Sequence, residues 1–129
     1  LGLSKGQIIQ EFGWGEDVDE SLRQRIESTT EEELVAEDYA DVADGALVWW
    51  REEDGDVDDL SDLLMDARGN LDNGSGIIWV MIPAPGEPGH VAHNDVEDAA
   101  SAAGLSATTA ASLGEGWAGV RLTARGRGK

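Results

Sequence analysis

Ala46-Leu47-Val48-Trp49-Trp50 and Gly76-Ile77-Ile78-Trp79-Val80-Met81-Ile82 are two unbroken apolar runs of strand length. Between them, Val57, Leu60, Leu63, Leu64, Ala67 and Leu71 recur with the 3.6-residue period of one helix face. A strand that is apolar at every position has no wet side, so both of its faces need cover. Two such strands joined by a helix make a βαβ unit over residues 46–82. Its strands are expected to be parallel, with a right-handed crossover. Asp54-Gly55-Asp56 supplies the turn before the helix, with Asp56 as its cap, and Asn73-Gly74-Ser75-Gly76 stops it. Trp49, Leu63, Leu64, Ile77 and Ile78 are the expected core. Successive strand residues point to opposite faces, so Trp49 and Trp50 belong under different layers.

Working outward, Gln7 to Phe12 reads as a first strand and Gly13-Trp14-Gly15 as a turn. Asp17 can cap a helix whose stripe is Val18, Leu22 and Ile26, with Asp19 and Arg23 paired on its wet face. Thr30-x-x-Glu33 has the capping-box pattern, which predicts a second helix carrying Val35, Tyr39 and Val42 and ending at Gly45. After Pro83, a loop rich in Pro and Gly leads to a helix opening at Asn94 or Asp95. It bears Val96, Ala99, Ala100 and Ala103, with Gly104 at its C-terminal cap. Leu105–Leu113 and Trp117–Ala124 are two strands on a link short enough for an antiparallel pair at the sheet edge. The sum is a three-layer α/β sandwich with a mostly parallel sheet and an antiparallel C-terminal edge strand. It forms a single domain over residues 1–124, with a basic tail at 125–129. Such sheets bind ligands beyond the carboxyl ends of their strands, at a topological switch point. That rim would carry Gly13 to Asp17, Arg51 to Asp54 and Pro83 to His90.

The 129 residues carry 27 Asp and Glu against 9 Lys and Arg, a formal net charge of -18. The excess lies in residues 11–72; the remainder is balanced. Phosphate backbones and anionic membrane surfaces are repelled by such a surface. Three readings of the acidity stay open: a solvated face, adaptation to high salt, and a docking surface for a basic protein partner. Cysteine is absent, which excludes disulfides and thiolate chemistry. No apolar run approaches the ~20 residues of a membrane helix, and a cytoplasmic protein is the expectation. Residue 1 is Leu, which leaves room for an N-terminal segment outside this sequence.

Several short motifs fall in an order that resembles one family. They are Gly2-Leu3-x-x-Gly6-Gln7, Glu11-Phe12-Gly13-Trp14, Leu47-Val48-Trp49-Trp50-Arg51 and Ile77-Ile78-Trp79. Gly89-His90-Val91, Ala103-Gly104-Leu105 and Trp117-x-Gly119-x-Arg121-Leu122 complete the set. Together they resemble the bacterial DUF3052 family nearly end to end. The resemblance implies a Rossmann-like fold related to class I methyltransferases. It implies no reaction, so no catalytic residue is carried over.

Each constellation that could bear chemistry has a plainer reading beside it. A methyltransferase would cradle S-adenosylmethionine on a glycine-rich turn after the first strand. Here the turn is Gly13-Trp14-Gly15-Glu16-Asp17: Trp14 is expected to fill it, and Asp17, Asp19 and Glu20 follow it. No cofactor is therefore expected. Asp54 to Asp59 resembles a calcium loop but has Asp59 where Gly is needed and Met65 where Glu is needed. His90, His93 and Asp95 could hold zinc or iron, but exposed loop histidines with Asp95 as a helix cap are the favoured reading, and no metal is expected. There is no P-loop and no G-x-S-x-G. Trp14 and Trp117, at strand ends, are the aromatic candidates for a groove. The candidate crevice is Gly13, Trp14, Gly15, Arg51, Pro83, His90 and Trp117. The expected role is a non-catalytic methyltransferase-like module that binds a protein through residues 11–72. The alternative is a small enzyme or ligand-binding protein that takes S-adenosylmethionine or a nucleotide at that crevice.

Overall fold

The computed structural model describes residues 3–39, 41–71, 76–114 and 116–124. The basic tail at 125–129 lies outside them. Five strands and three α-helices occur among the described residues: β1 (Ile9–Phe12), α1 (Glu20–Thr30), β2 (Gly45–Trp49), α2 (Val57–Gly69), β3 (Ile77–Pro83), α3 (His93–Ala102), β4 (Leu105–Gly114) and β5 (Trp117–Ala124). They form one sheet in the order β1-β2-β3-β5-β4. The first three strands are parallel, with Leu47 opposite Trp79 and Glu11 opposite Leu47. Strand β5 runs antiparallel to both β3 and β4. None of the helices among the described residues is long and apolar enough to cross a membrane.

The two-residue alternation of the strands sorts the core into two layers. Leu47, Trp49, Trp79, Met81 and Trp117 face α1, meeting Val18, Leu22 and Ile26. Ala46, Val48, Ile78, Val80, Ile82, Val120 and Leu122 face α2 and α3. Trp50 joins this second layer, so the neighbouring Trp49 and Trp50 are indeed divided by the sheet. Of the expected core, Trp49, Leu64 and Ile78 are buried. Leu63 and Ile77 are only half-buried, because each stands at the rim of its layer.

The capping-box reading of Thr30-x-x-Glu33 fails. Thr30 is the last residue of α1 rather than the cap of another helix. Its hydroxyl donates to the Ile26 carbonyl (3.1 Å) and accepts the Glu32 N–H (3.2 Å). The backbone of Val35 is spent on the free edge of β1: Glu11 N–H to Val35 O is 2.8 Å, and Val35 N–H to Ile9 O is 3.1 Å. The carbonyls of Ala36, Glu37 and Tyr39, which a helix would bond internally, lie 3.1–3.2 Å from the buried Gln10 side-chain nitrogen. A helix over 33–44 is thus outbid for its own backbone groups.

This segment also sets the topology. The chain leaves β1 through α1, touches the outer edge of β1 at Val35 alone, then crosses back to enter β2 on the other side. A doubly wound sheet places full strands beyond its first one; here a single bridge stands in their place. The reversal of direction, and with it the switch point, still falls between the carboxyl ends of β1 and β2.

Candidate functional site

At the carboxyl end of β1 the chain turns through Gly13, which has φ of +74°. A side chain there would collide with the carbonyl oxygen of Trp49 on β2. Both backbone groups of Gly13 are taken by side chains of this protein. Its N–H donates to Glu37 Oε2 at 2.8 Å, and its carbonyl accepts from Arg51 Nη1 at 2.6 Å. The Arg51 side chain is nine-tenths buried. It donates Nε and Nη2 to the two carboxylate oxygens of Asp17 in a fork. Nη1 also lies 3.5 Å from Asp54 Oδ2. The guanidinium carbon sits 5.5 Å from the centre of the Trp117 ring, within cation–π range. Trp117 meets Trp49 edge to face at 4.8 Å and donates its indole N–H to the Asp17 carbonyl at 3.2 Å.

The switch-point crevice is therefore filled by Arg51, held by Asp17 and stacked on Trp117. Asp17 is held below the ordinary carboxylate range, chiefly by its hydrogen bond from Arg51. Burial works against the charge on Arg51, yet Asp17 and Asp54 together outweigh it and the guanidinium pKa is raised. Engaging Asp17 also displaces the start of α1. The helix is capped by Asp19, whose carboxylate accepts the N–H groups of Ser21 and Leu22, not by Asp17 as expected.

A second charged knot lies on the α1 side of β1. Glu11 is buried, and its carboxylate accepts from Arg23 Nε (2.7 Å), Arg23 Nη2 (2.9 Å) and the Trp49 indole N–H (2.8 Å). Arg23 reaches Glu20 as well, so it is half-buried in a network with Glu11 and not on an exposed face. Its pKa is raised, first by Glu11. Above this knot is a cavity of about 570 Å³ lined by Glu11, Trp14, Arg23, Ala36, Glu37 and Asp38. Trp14 does not fill the glycine turn. It stands at 54% exposure as one wall of this open cavity.

The remaining candidates divide. Gly13, Gly15, Arg51 and Trp117 come together, and Pro83 pairs with Trp117 in register. His90 places Nδ1 2.7 Å from the Pro83 carbonyl and lines a separate cavity of about 310 Å³ with Trp50, Asp56, Leu60 and Asp95. His93 pairs with Glu97 at 2.9 Å, one turn along α3. His90, His93 and Asp95 do not converge, and no group of three metal-ligating side chains gathers among the described residues. Asp56 and Asp59 bond reciprocally to each other's backbone N–H at 3.0 Å, a capping box at the head of α2. Glu11 and Glu37 were not legible as site residues. A carboxylate inside the run Ile8 to Phe12 was the one available signal for Glu11; nothing marked Glu37.

The sheet, its switch point and the glycine turn define a Rossmann-like fold, which solved methyltransferases share. An O-methyltransferase from neocarzinostatin biosynthesis, solved with S-adenosylmethionine, superposes with a TM-score of 0.70 at 13% identity, over 92% of this chain and 49% of its own. Mitomycin 7-O-methyltransferase superposes at 0.61 and 15% identity, over 93% and 50%. The ribosomal protein L11 methylase of Lactobacillus delbrueckii subsp. bulgaricus superposes at 0.59 and 14%, over 97% and 73%. The chain spans about half the length of the first two, and at these identities the likeness is one of fold. By sequence, residues 1–126 match the family described as "Protein of unknown function (DUF3052)", and the chain belongs to it. Uncharacterised proteins of Mycobacterium tuberculosis and Mycobacterium bovis are 46% identical over 122 residues, which is 95% of this chain and 74% of theirs.

Proposed function

We propose that this protein is a non-catalytic, methyltransferase-like module that acts by binding a basic protein partner through its acidic half, residues 11–72. One observation carries the reading: the crevice where this fold holds a cofactor is occupied by the protein's own Arg51–Asp17 pair. S-adenosylmethionine does not fit the residues present. The Gly13 N–H that would meet a ligand is bonded to Glu37, and the Gly13 carbonyl is bonded to Arg51. The cofactor's own carboxylate would also approach Glu16, Asp17 and Glu37, while Arg51 and Arg23 are already committed to carboxylates. On the docking side, Asp58, Asp62 and Asp66 are all exposed and recur every four residues along α2, a one-sign stripe that suits Lys and Arg on a partner.

Calorimetric titration of the wild type with S-adenosylmethionine, and with nucleotides, tests the crevice. The expected result is no saturable heat, and micromolar binding overturns the reading. Cross-linking in the native cell tests the stripe. A partner captured by the wild type is expected to be lost when Asp58, Asp62 and Asp66 are all changed to Asn; capture undiminished by that change places the docking surface elsewhere. The runner-up is a small enzyme or ligand-binding protein, and the cavity walled by Trp14 favours it. Quenching of Trp14 fluorescence by a small ligand, lost in Trp14→Phe, would promote it.

A further inference from the structure

We propose that the cavity walled by Trp14 takes an arginine side chain of the basic partner, an inference that rests on the reading above and names its anchor. The volume of about 570 Å³ falls in the range of sites that hold a ligand. The walls come from β1 and its turn, from α1 and from residues 36–38, and each is fixed by bonds from elsewhere. The buried Gln10 side chain, itself bonded by Asn70, holds the backbone carbonyls of Ala36, Glu37 and Tyr39. Glu37 is tied in turn to the Gly13 N–H, beside Trp14. Glu11 is held by Arg23 and the Trp49 indole. The walls are therefore set before a ligand arrives, which leaves little ordering for binding to offset.

The charge of the lining points to a cation. Three carboxylates, Glu11, Glu37 and Asp38, share the cavity with one guanidinium, Arg23. That guanidinium is already committed: Glu11 accepts from Nε and Nη2, and Glu20 accepts from Nη1. The Asp38 carboxylate and Oε1 of Glu37 accept from no described residue, and both side chains are exposed. Glu16 and Asp17, further along the turn, are exposed and add negative charge, while Arg51 is held by Asp17. An anion entering here meets repulsion, and a cation finds two carboxylates with capacity to spare.

The aromatic wall selects the kind of cation. Trp14 is the largest exposed apolar side chain among the described residues. An indole beside carboxylates favours a cation that sheds its water readily. A metal ion does not, and no group of three metal-ligating side chains gathers here among the described residues. The ammonium of lysine is compact and strongly hydrated. The guanidinium of arginine is planar and weakly hydrated, stacks on aromatic rings and bonds a carboxylate with two N–H groups at once. Its aliphatic stem suits Ala36 and the indole. Charge also favours a side chain over the free amino acid, whose own carboxylate would be brought against Glu37 and Asp38.

Proton–nitrogen NMR of the full chain, titrated with the blocked peptide acetyl-Gly-Arg-Gly-amide, tests the proposal. The Gly13 amide and Trp14 indole signals are expected to shift saturably, with a midpoint on the order of 1 mM for one exposed anchor. The peptide with citrulline in place of arginine is expected to leave them unmoved. The variant carrying both Trp14→Ala and Asp38→Asn, at exposed positions, is expected to bind about tenfold more weakly by the Gly13 signal. Should it fail to fold, the arginine and citrulline peptides on the wild type decide. No shift, an equal response to citrulline, or free arginine binding as tightly as the peptide overturns the proposal. In the native cell, the double variant is expected to capture less partner than the wild type. Undiminished capture overturns the anchor and leaves the reading above standing, whereas a wild type that captures no basic protein overturns both.

Discussion

The two faces of the sheet are held together by different physics. On the side of α2 and α3 the interior is mostly aliphatic, with Phe12 and Trp50 beside it: Val48, Leu60, Leu64, Ile78, Val80, Val96 and Leu122 pack with no charged group among them. The one unsatisfied buried polar atom among the described side chains, Ser61 Oγ, is on α2. On the side of α1 the interior is aromatic and stitched with charge, with Trp49, Trp79 and Trp117 packed beside Glu11 and Arg51. The first face is stabilised by removing apolar area from water, which needs only the right residues at the right period. The second depends on hydrogen bonds between groups distant in sequence, whose loss leaves a partner stranded in the interior. It is this second face that ends at the closed crevice.

Substitutions can break or sharpen this contrast. The largest effect is expected from Leu64→Ala, fully buried between α2 and the sheet, at about 2–5 kcal/mol in denaturant unfolding. A loss near zero would mean that the two-helix face is not the close-packed layer described. Glu11→Ala follows at ~3 kcal/mol, because it strands the Arg23 guanidinium and the Trp49 N–H. Glu11→Gln, of similar shape, should recover part of that loss; equal losses would show that packing rather than charge holds the α1 face.

Salt probes the charges that neither face absorbs. Screening shortens from ~30 Å at 0.01 M to ~8 Å at physiological salt, so repulsion among the 22 carboxylates of residues 11–72 should weaken. Scanning calorimetry is expected to show the melting temperature rise by several degrees, on the order of 1 kcal/mol. A flat curve would mean that these carboxylates are already paired.

A smaller term comes from Asp17. Its folded pKa lies below the ordinary 3.8, so the Arg51 pair stabilises the fold above that pH. The contribution is lost as pH falls through the lowered folded value. Since the Asp17 side chain is 57% exposed, solvent screening keeps the term small. Asp17→Asn should flatten the acid limb of the stability profile relative to wild type, and an unchanged limb would show that the fork contributes nothing. Smallest of all, Trp14→Ala is expected to alter stability by no more than ~0.5 kcal/mol, because its ring stands in solvent. A loss of several kcal/mol would mean that Trp14 fills the turn after all.

The aliphatic face was legible from the sequence because burial leaves a periodic trace. The spacing of Leu60, Leu64 and Ala67, the continuous strands at 46–50 and 76–82, and the stripe of Ala118, Val120 and Leu122 each report one local geometry. The crevice was legible only as a rim. Sequence placed Gly13, Arg51, Pro83 and Trp117 at neighbouring strand ends, since topology alone brings those ends together. It assigned the closing role to Trp14, which lies between the glycines in sequence, and not to Arg51, which reaches them across the sheet. Asp17 read as a helix cap because both roles ask for the same carboxylate. The segment 31–44 read as helical because Thr30 and Glu33 match a local signal, while its competitors, β1 and Gln10, are distant in sequence.

The sequence by itself determined the layer order, the parallel βαβ unit, the antiparallel C-terminal pair and the concentration of negative charge in one half. These follow from periodicity and composition, which each residue expresses among its near neighbours. Only the tertiary structure decided that Val35 bridges the edge of β1 instead of belonging to a helix, that Glu11 and Arg23 are interior partners, and that Arg51 occupies the crevice. Each of those outcomes is a competition for one backbone group or one carboxylate among candidates far apart in the chain. Such a competition is settled by which of them the fold brings within hydrogen-bond reach.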